Sequence, residues 1–256
     1  MILDFHTHVD QAELYGWFDP PEKLVPLMDE AGIDRAAIMT YVDVPGSNPG
    51  AVELIADAVA RYPDRLIGFV RLNPNFRHEA RRALDRAVLE LGFRGVKLHP
   101  TTTLAHPAAD PTVELLERCA ELSVPALFHC GDDPYTTPQA IEAAAARVPG
   151  CAIVLGHMGG YFHVEDAIAA AVRQPNLYLE TSAMPYPDRI SDAVRSIGAT
   201  RVLFGSDGPG CNPALEVKKI RMLGLEASEE RLVLGENGAR LLGLVTEALS
   251  GEEQVR

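Results

Sequence analysis

Eight short apolar runs, each followed by a stretch with helical spacing, constrain this chain more than any other feature. The runs cover residues 4–9, 35–41, 66–72, 95–99, 126–130, 152–157, 177–181 and 202–206. Helical patterns fill the intervals, the first opening at Pro20-Pro21-Glu22 and stopping at Ala31-Gly32, then 50–62, 77–91, 111–122, 138–147, 164–173, 187–197 and 213–222. Strands that are apolar at nearly every position suit a parallel sheet covered by helices on its outer face. Eight βα units close most simply into one α/β domain, a (β/α)8 barrel. An open doubly wound sheet is the competing arrangement, but no Gly-rich nucleotide turn follows the first strand. A length of 256 residues is ordinary for a one-domain barrel, and no low-complexity linker divides it. The expected domain is 1–249, with a closing helix near 232–244 and a polar tail at 250–256.

The barrel reading gives the polar residues a place. In such barrels the chemistry sits at the C-terminal ends of the strands. The first run carries Asp4, His6 and His8, which a period of two places on one face. Run four ends in Gly95-Val96-Lys97-Leu98-His99-Pro100 and run five in Phe128-His129-Cys130-Gly131. Run six ends in Leu155-Gly156-His157-Met158-Gly159-Gly160 and run eight in Phe204-Gly205-Ser206-Asp207-Gly208-Pro209. Five of the eight histidines thus fall at strand ends that converge on one axis. Neutral imidazoles with one carboxylate, here His6, His8, His129 and Asp207, make a site for one divalent ion, zinc first and manganese or another ion second. A position left open admits water or substrate, and bound water is acidified to a pKa of about 7. Asp207 can also take a proton from that water. His157, one strand beyond His129, is placed as proton donor or electrophile.

The net charge of −13, with no basic block, excludes nucleic acid as a partner. No run is long enough to cross a bilayer, and no signal-peptide pattern is visible, so the expected location is cytoplasmic. The four cysteines have no paired spacing and are expected to be reduced. The expected partner is a small molecule, with homo-oligomerisation left open.

The pattern Asp4-x-His6-x-His8, His129, His157 and Asp207 resembles the amidohydrolase superfamily. The phrases GVKLHP, LFHCG, LGHMGG and FGSDGP, with the closing ENGARLLGL, are similar to its branch of aminocarboxymuconate-semialdehyde decarboxylase-like proteins. The resemblance spans nearly the whole chain. It implies a distorted TIM barrel, a metal held by His6, His8, His129 and Asp207, and an acid/base or polarising role for His157. Lys97 occupies the strand on which binuclear members of the superfamily carry a carboxylated lysine, whereas the similar branch is usually mononuclear.

Arg71, Lys97 and His99 are the candidate grip for an anionic substrate. Tyr15, Trp17 and Phe18 could wall the site, and Asp132, Asp133 and Tyr135 could line its mouth. Hydrolysis of an amide, ester or lactone needs an activated water, a base and a proton donor, roles already filled by the metal, Asp207 and His157. Decarboxylation or hydration of an unsaturated or aromatic acid is the alternative, for which the short loops leave less material. A non-catalytic metal-binding barrel is the third reading. The expectation is a metal-dependent hydrolase.

Overall fold

The computed structural model describes residues 1–12, 17–41 and 49–244. The barrel strands are β1 (Leu3–His8), β4 (Arg35–Met39), β5 (Leu66–Arg71), β6 (Gly95–Leu98), β7 (Ala126–His129), β8 (Ile153–Gly156), β9 (Leu177–Glu180) and β10 (Val202–Leu203), all parallel and paired in that order. The short hairpin of β2 (Asp10–Ala12) and β3 (Trp17–Asp19) replaces the loop expected after β1. Closure follows from backbone bonds between β1 and the segment after β10: Phe5 N–H to Phe204 O at 3.0 Å, Asp207 N–H to His6 O at 2.7 Å and His8 N–H to Gly208 O at 2.7 Å. The eight-stranded TIM barrel is thereby complete.

The outer helices are α1 (Pro21–Ala31), α2 (Pro49–Arg61), α3 (Arg77–Asp85), α5 (Asp110–Glu121), α6 (Pro138–Arg147), α7 (Val164–Arg173), α8 (Pro187–Ile197) and α9 (Pro213–Arg221). A one-turn α4 (Pro100–Thr103) follows β6. Proline stands in the first turn of α1, α4, α5, α6, α8 and α9, where its missing N–H costs no helical bond. Gly32 stops α1 with φ 71°, and the Asn212 side chain caps α9 by accepting from Ala214 and Leu215. The closing helix is longer than expected at its start, running through α10 (Ala227–Arg231), a π turn over Leu232–Glu236 and α11 (Asn237–Leu241).

Strand alternation divides the core. Leu3, Phe5, Ala37, Met39, Ile67, Phe69, Leu127, Val154 and Leu203 fill the barrel interior, plugged from below by Ala239 and Leu242. Their neighbours Ala36, Ile38, Leu66, Val70, Val96 and Phe128 face the helices. Gly95 has no side chain because a Cβ there would lie 2.4 Å from the Phe69 ring. With its lower layers filled, the interior has room for polar groups only at the top.

One strand departs from the simple alternation, and it is the important one. The register of β1 against β4 slips between Asp4 and Thr7, so one extra residue is accommodated. A bulge re-aims side chains. Phe5 and its neighbour His6 both reach inward, Phe5 edge-on to Phe69 at 5.4 Å and His6 to Lys97 and Glu180. The expectation that Asp4 shares the face of His6 and His8 is corrected by this bulge. Asp4 instead accepts the backbone N–H groups of His6 and Ser206 at 3.1 and 2.9 Å, tying β1 to the closing segment.

Tyr15 and the polar tail 250–256 lie outside the described residues, as does the side chain of Trp17. Among the described residues no helix is long and apolar enough to cross a membrane. All four cysteines are free, three of them buried.

Candidate active site

The top of the barrel gathers four imidazoles. The His6 and His8 rings lie 5.2 Å apart, His157 is 4.9 Å from His6, and His129 is 4.8 Å from His157. Their partners fix each ring differently. His6 is fully buried, with Nδ1 at 2.9 Å from Glu180 Oε2 and Nε2 at 2.7 Å from Lys97 Nζ. His8 stacks on Tyr41 at 3.8 Å and 12°, with Nε2 at 3.0 Å from Asp207 Oδ1. His8 Nδ1 is buried without a hydrogen-bond partner among the described residues, so stacking holds that edge of the ring. His157 follows β8 in a tight turn, with φ 62°, and its Nδ1 lies 3.0 Å from Ser182 Oγ and 3.2 Å from Ser182 O.

His6 Nε2, His8 Nε2 and Asp207 Oδ1 face one another, the carboxylate oxygen standing 3.6 and 3.0 Å from the two nitrogens. Ligands about 2.1 Å from a common tetrahedral ion are separated by about 3.4 Å. The triad therefore fits one divalent ion without rebuilding the strands. Asp207 holds its place with φ 59° in the turn after β10.

The protonation states suit that use. Burial is the largest influence on all four imidazoles and pushes each down, His157 to about 4. Lys97 adds to the effect at His6, and Asp207 opposes it at His8 and His157. Burial would raise the Asp207 carboxyl, but the His8 hydrogen bond and the neighbouring His157 and Lys97 outweigh it and bring it to about 2. At neutral pH the triad is two neutral imidazoles and a carboxylate, ready to bind a cation.

The remaining candidates spread around this centre. His129 stands one ring further out, stacked on His99 at 4.1 Å and 6°, with Nε2 at 3.9 Å from Asp133; it lies outside the His6, His8, Asp207 triad. Lys97 is buried beside His6. Arg71, at the end of β5, donates to Thr40 O at 3.1 Å and Thr102 Oγ1 at 3.4 Å, which fixes its guanidinium on the rim. Asp132 accepts the N–H groups of Tyr161 and Phe162, both at 3.0 Å, and so closes the turn that follows His157.

Three residues at the centre have no role in the sequence reading: Tyr41, Glu180 and Ser182. Glu180 could have been found, because it is a carboxylate ending an otherwise apolar run. Burial pushes its carboxyl upward, opposed by hydrogen bonds from Ser182.

With this geometry in place, the chain can be compared with known proteins. The amidohydrolase family pattern matches residues 3–244. A gamma-resorcylate decarboxylase of Polaromonas sp. (strain JS666) is 25% identical over 252 residues, covering 75% of this chain and 77% of that protein. A dihydroxybenzoic acid decarboxylase from the same organism, with bound manganese and the inhibitor 2-nitroresorcinol, superposes with a TM-score of 0.75 at 20% identity over 95% of this chain and 97% of that one. The 5-carboxyvanillate decarboxylase of Sphingomonas paucimobilis superposes with a TM-score of 0.73 at 17% identity, over 94% and 98%.

These relatives overturn the hydrolytic expectation, since each is a decarboxylase rather than a hydrolase. The roles assigned to the metal, Asp207 and His157 serve either reaction, which left the preference for hydrolysis resting on loop length. The likeness to the decarboxylase barrels extends over nearly all of their chains.

Proposed function

The chain belongs to the amidohydrolase family, and we propose that it is a metal-dependent decarboxylase of a small aromatic hydroxy acid. One juxtaposition carries this reading: a cation-binding triad with a buried lysine ammonium 2.7 Å from one of its nitrogens. A divalent ion and the ammonium together carry three positive charges against the one negative charge of Asp207, so the loaded site attracts a further anion. A carboxylate with an adjacent hydroxyl supplies that anion and two oxygens to share between the charges.

His6, His8 and Asp207 would hold the ion, with His129 as the candidate fourth ligand. When bound, a divalent cation polarises the oxygens of the acid. Lys97 neutralises the carboxylate, and Arg71 with His99 sets the entrance of the pocket. His157 and Asp207 handle the proton that must reach the ring carbon bearing the carboxylate. As that C–H bond forms, the C–C bond breaks, its electron pair restores the ring and carbon dioxide leaves. Manganese is the first ion to test, because it is bound in the dihydroxybenzoate decarboxylase with this fold; zinc is the second.

Purified protein loaded with manganese, and separately with zinc, would be incubated with 2,6-dihydroxybenzoate, 5-carboxyvanillate and related acids. Metal-dependent release of carbon dioxide, abolished by His8→Ala, is expected. A folded, metal-loaded protein that releases none from any aromatic hydroxy acid overturns the proposal.

A further inference from the structure

His6 and His157 share a neighbour that the chemistry above leaves unused. Glu180 is fully buried at the end of β9. Its Oε2 lies 2.9 Å from His6 Nδ1 and 3.4 Å from the His157 backbone nitrogen. Ser182 donates its N–H to Oε1 and its hydroxyl to Oε2, the latter at 2.8 Å. The same hydroxyl oxygen stands 3.2 Å from His6 Nδ1 and 3.0 Å from His157 Nδ1. The chain also keeps space for this carboxylate: a Cβ on Gly205 would lie 2.2 Å from Glu180 Oε1.

With Glu180 ionised, the donor inventory leaves one arrangement. An ammonium only donates, so His6 Nε2 must accept from Lys97, and the His6 proton must sit on Nδ1, facing Glu180. A peptide carbonyl only accepts, so His157 Nδ1, at 3.2 Å from Ser182 O, must carry the His157 proton. The single hydroxyl proton of Ser182 is committed to Glu180, which leaves only lone pairs for the two rings.

We propose that Glu180, with Ser182, is a positioning residue that holds His6 and His157 in their Nδ1-protonated tautomers: it accepts the His6 proton directly and keeps the Ser182 hydroxyl from donating to either ring. His6 then presents an unprotonated Nε2, whose single lone pair accepts from Lys97 in the metal-free protein and would pass to an ion when one binds. His157 presents a bare Nε2 to the substrate and enters the reaction as a proton acceptor rather than as the proton donor or electrophile its sequence position suggests. In a hydroxy acid it takes the hydroxyl proton, breaking O–H and forming N–H. The resulting imidazolium returns that proton to the ring carbon as carbon dioxide leaves. This last step rests on the proposed decarboxylation; the tautomers do not.

The test is a long-range proton–nitrogen spectrum of the metal-free protein with 15N-labelled histidine, assigned with His157→Asn, together with Mn2+ binding by chelator competition. Wild type is expected to show protonated Nδ1 and bare Nε2 on both rings. Glu180→Gln keeps the shape but replaces the carboxylate facing His6 Nδ1 with an amide, and should move the His6 ring signals while raising the Mn2+ dissociation constant ~10–100-fold. Ser182→Thr, which keeps the hydroxyl, should resemble wild type in both readouts. A wild-type spectrum with protonated Nε2 on His157 overturns the proposal, whether or not any variant folds. So does a Glu180→Gln protein whose ring signals match wild type and whose Mn2+ affinity lies within twofold. The expected tautomers in a protein that decarboxylates nothing would support the positioning pair and count against the reaction alone.

Discussion

Gly205→Ala is a one-carbon perturbation whose effect can be worked from distances. The new Cβ would stand 2.2 Å from Glu180 Oε1, 2.7 Å from its Cδ and 3.0 Å from His6 Cβ. Ordinary contact begins near 3.4 Å, so the carboxylate must retreat by roughly 1 Å, and it is buried on every side. The shift disturbs the 2.9 Å bond that the other carboxylate oxygen makes to His6 Nδ1. Overpacking of this kind costs about 1–3 kcal/mol, and a buried hydrogen bond to a charged group contributes about 1.5–3 kcal/mol, so a loss of about 3 kcal/mol is expected. For a chain of this size that lowers the melting temperature by roughly 6–12 °C. Manganese affinity should fall ~10–100-fold, because His6 loses its orienting partner. Thermal melting by circular dichroism and chelator competition give the two readouts. Glu180→Asp in the same chain, one methylene shorter, should recover part of the melting loss. A Gly205→Ala protein that melts within ~1 °C of wild type and binds manganese within twofold would refute the packing described around Glu180.

Other perturbations probe separate layers of the molecule. Wild type should bind one divalent ion per chain in native mass spectrometry, and His8→Ala or Asp207→Asn should bind none under the same conditions. Lys97→Met removes the ammonium beside His6, so the KM for an aromatic acid should rise at least ~10-fold in steady-state kinetics while manganese affinity holds or improves. Phe69→Ala empties the barrel interior beneath the site and should cost about 3–5 kcal/mol in chemical denaturation. The buried His157 has its pKa lowered to about 4, chiefly by burial, so the unfolded chain takes up a proton near pH 6.5 that the folded chain refuses until about 4. Its contribution to stability is present above pH 6.5 and is lost as pH falls to about 4, at about 1.4 kcal/mol per pH unit. Metal-free His157→Asn should therefore show a flatter stability curve in that window than wild type.

The architecture was legible because burial on both faces of a strand leaves a plain trace, a run with almost no polar residue. All eight runs became barrel strands, although the last is only two residues long and its remainder closes the barrel through bonds to β1. The polar residues at the strand ends stood out against that background, and most were seen. What escaped depended on three-dimensional detail. The slip between Asp4 and Thr7 has no signature in LDFHTH, yet it decides that Asp4 braces the backbone while His6 enters the site. Glu180 stands out as a carboxylate ending an apolar run, but its task shows only in the space above Gly205 and in its bonds to His6 and Ser182. The choice between adding water and losing carbon dioxide rests on the pocket around the triad, which residue spacing does not describe.

The triad also joins distant parts of the chain, since His8 lies on the first strand and Asp207 just past the last. An ion shared between them is a clasp across the barrel seam, closing a loop of about 200 residues. By the loop-closure relation used for disulfides, a permanent link of that span removes on the order of 5 kcal/mol of freedom from the unfolded chain. Unlike a disulfide, the clasp opens when the ion is taken away. Chelation should therefore loosen the first and last βα units before the middle of the barrel, and hydrogen exchange at Phe5, His8 and Asp207, whose N–H groups form the seam, should report it first.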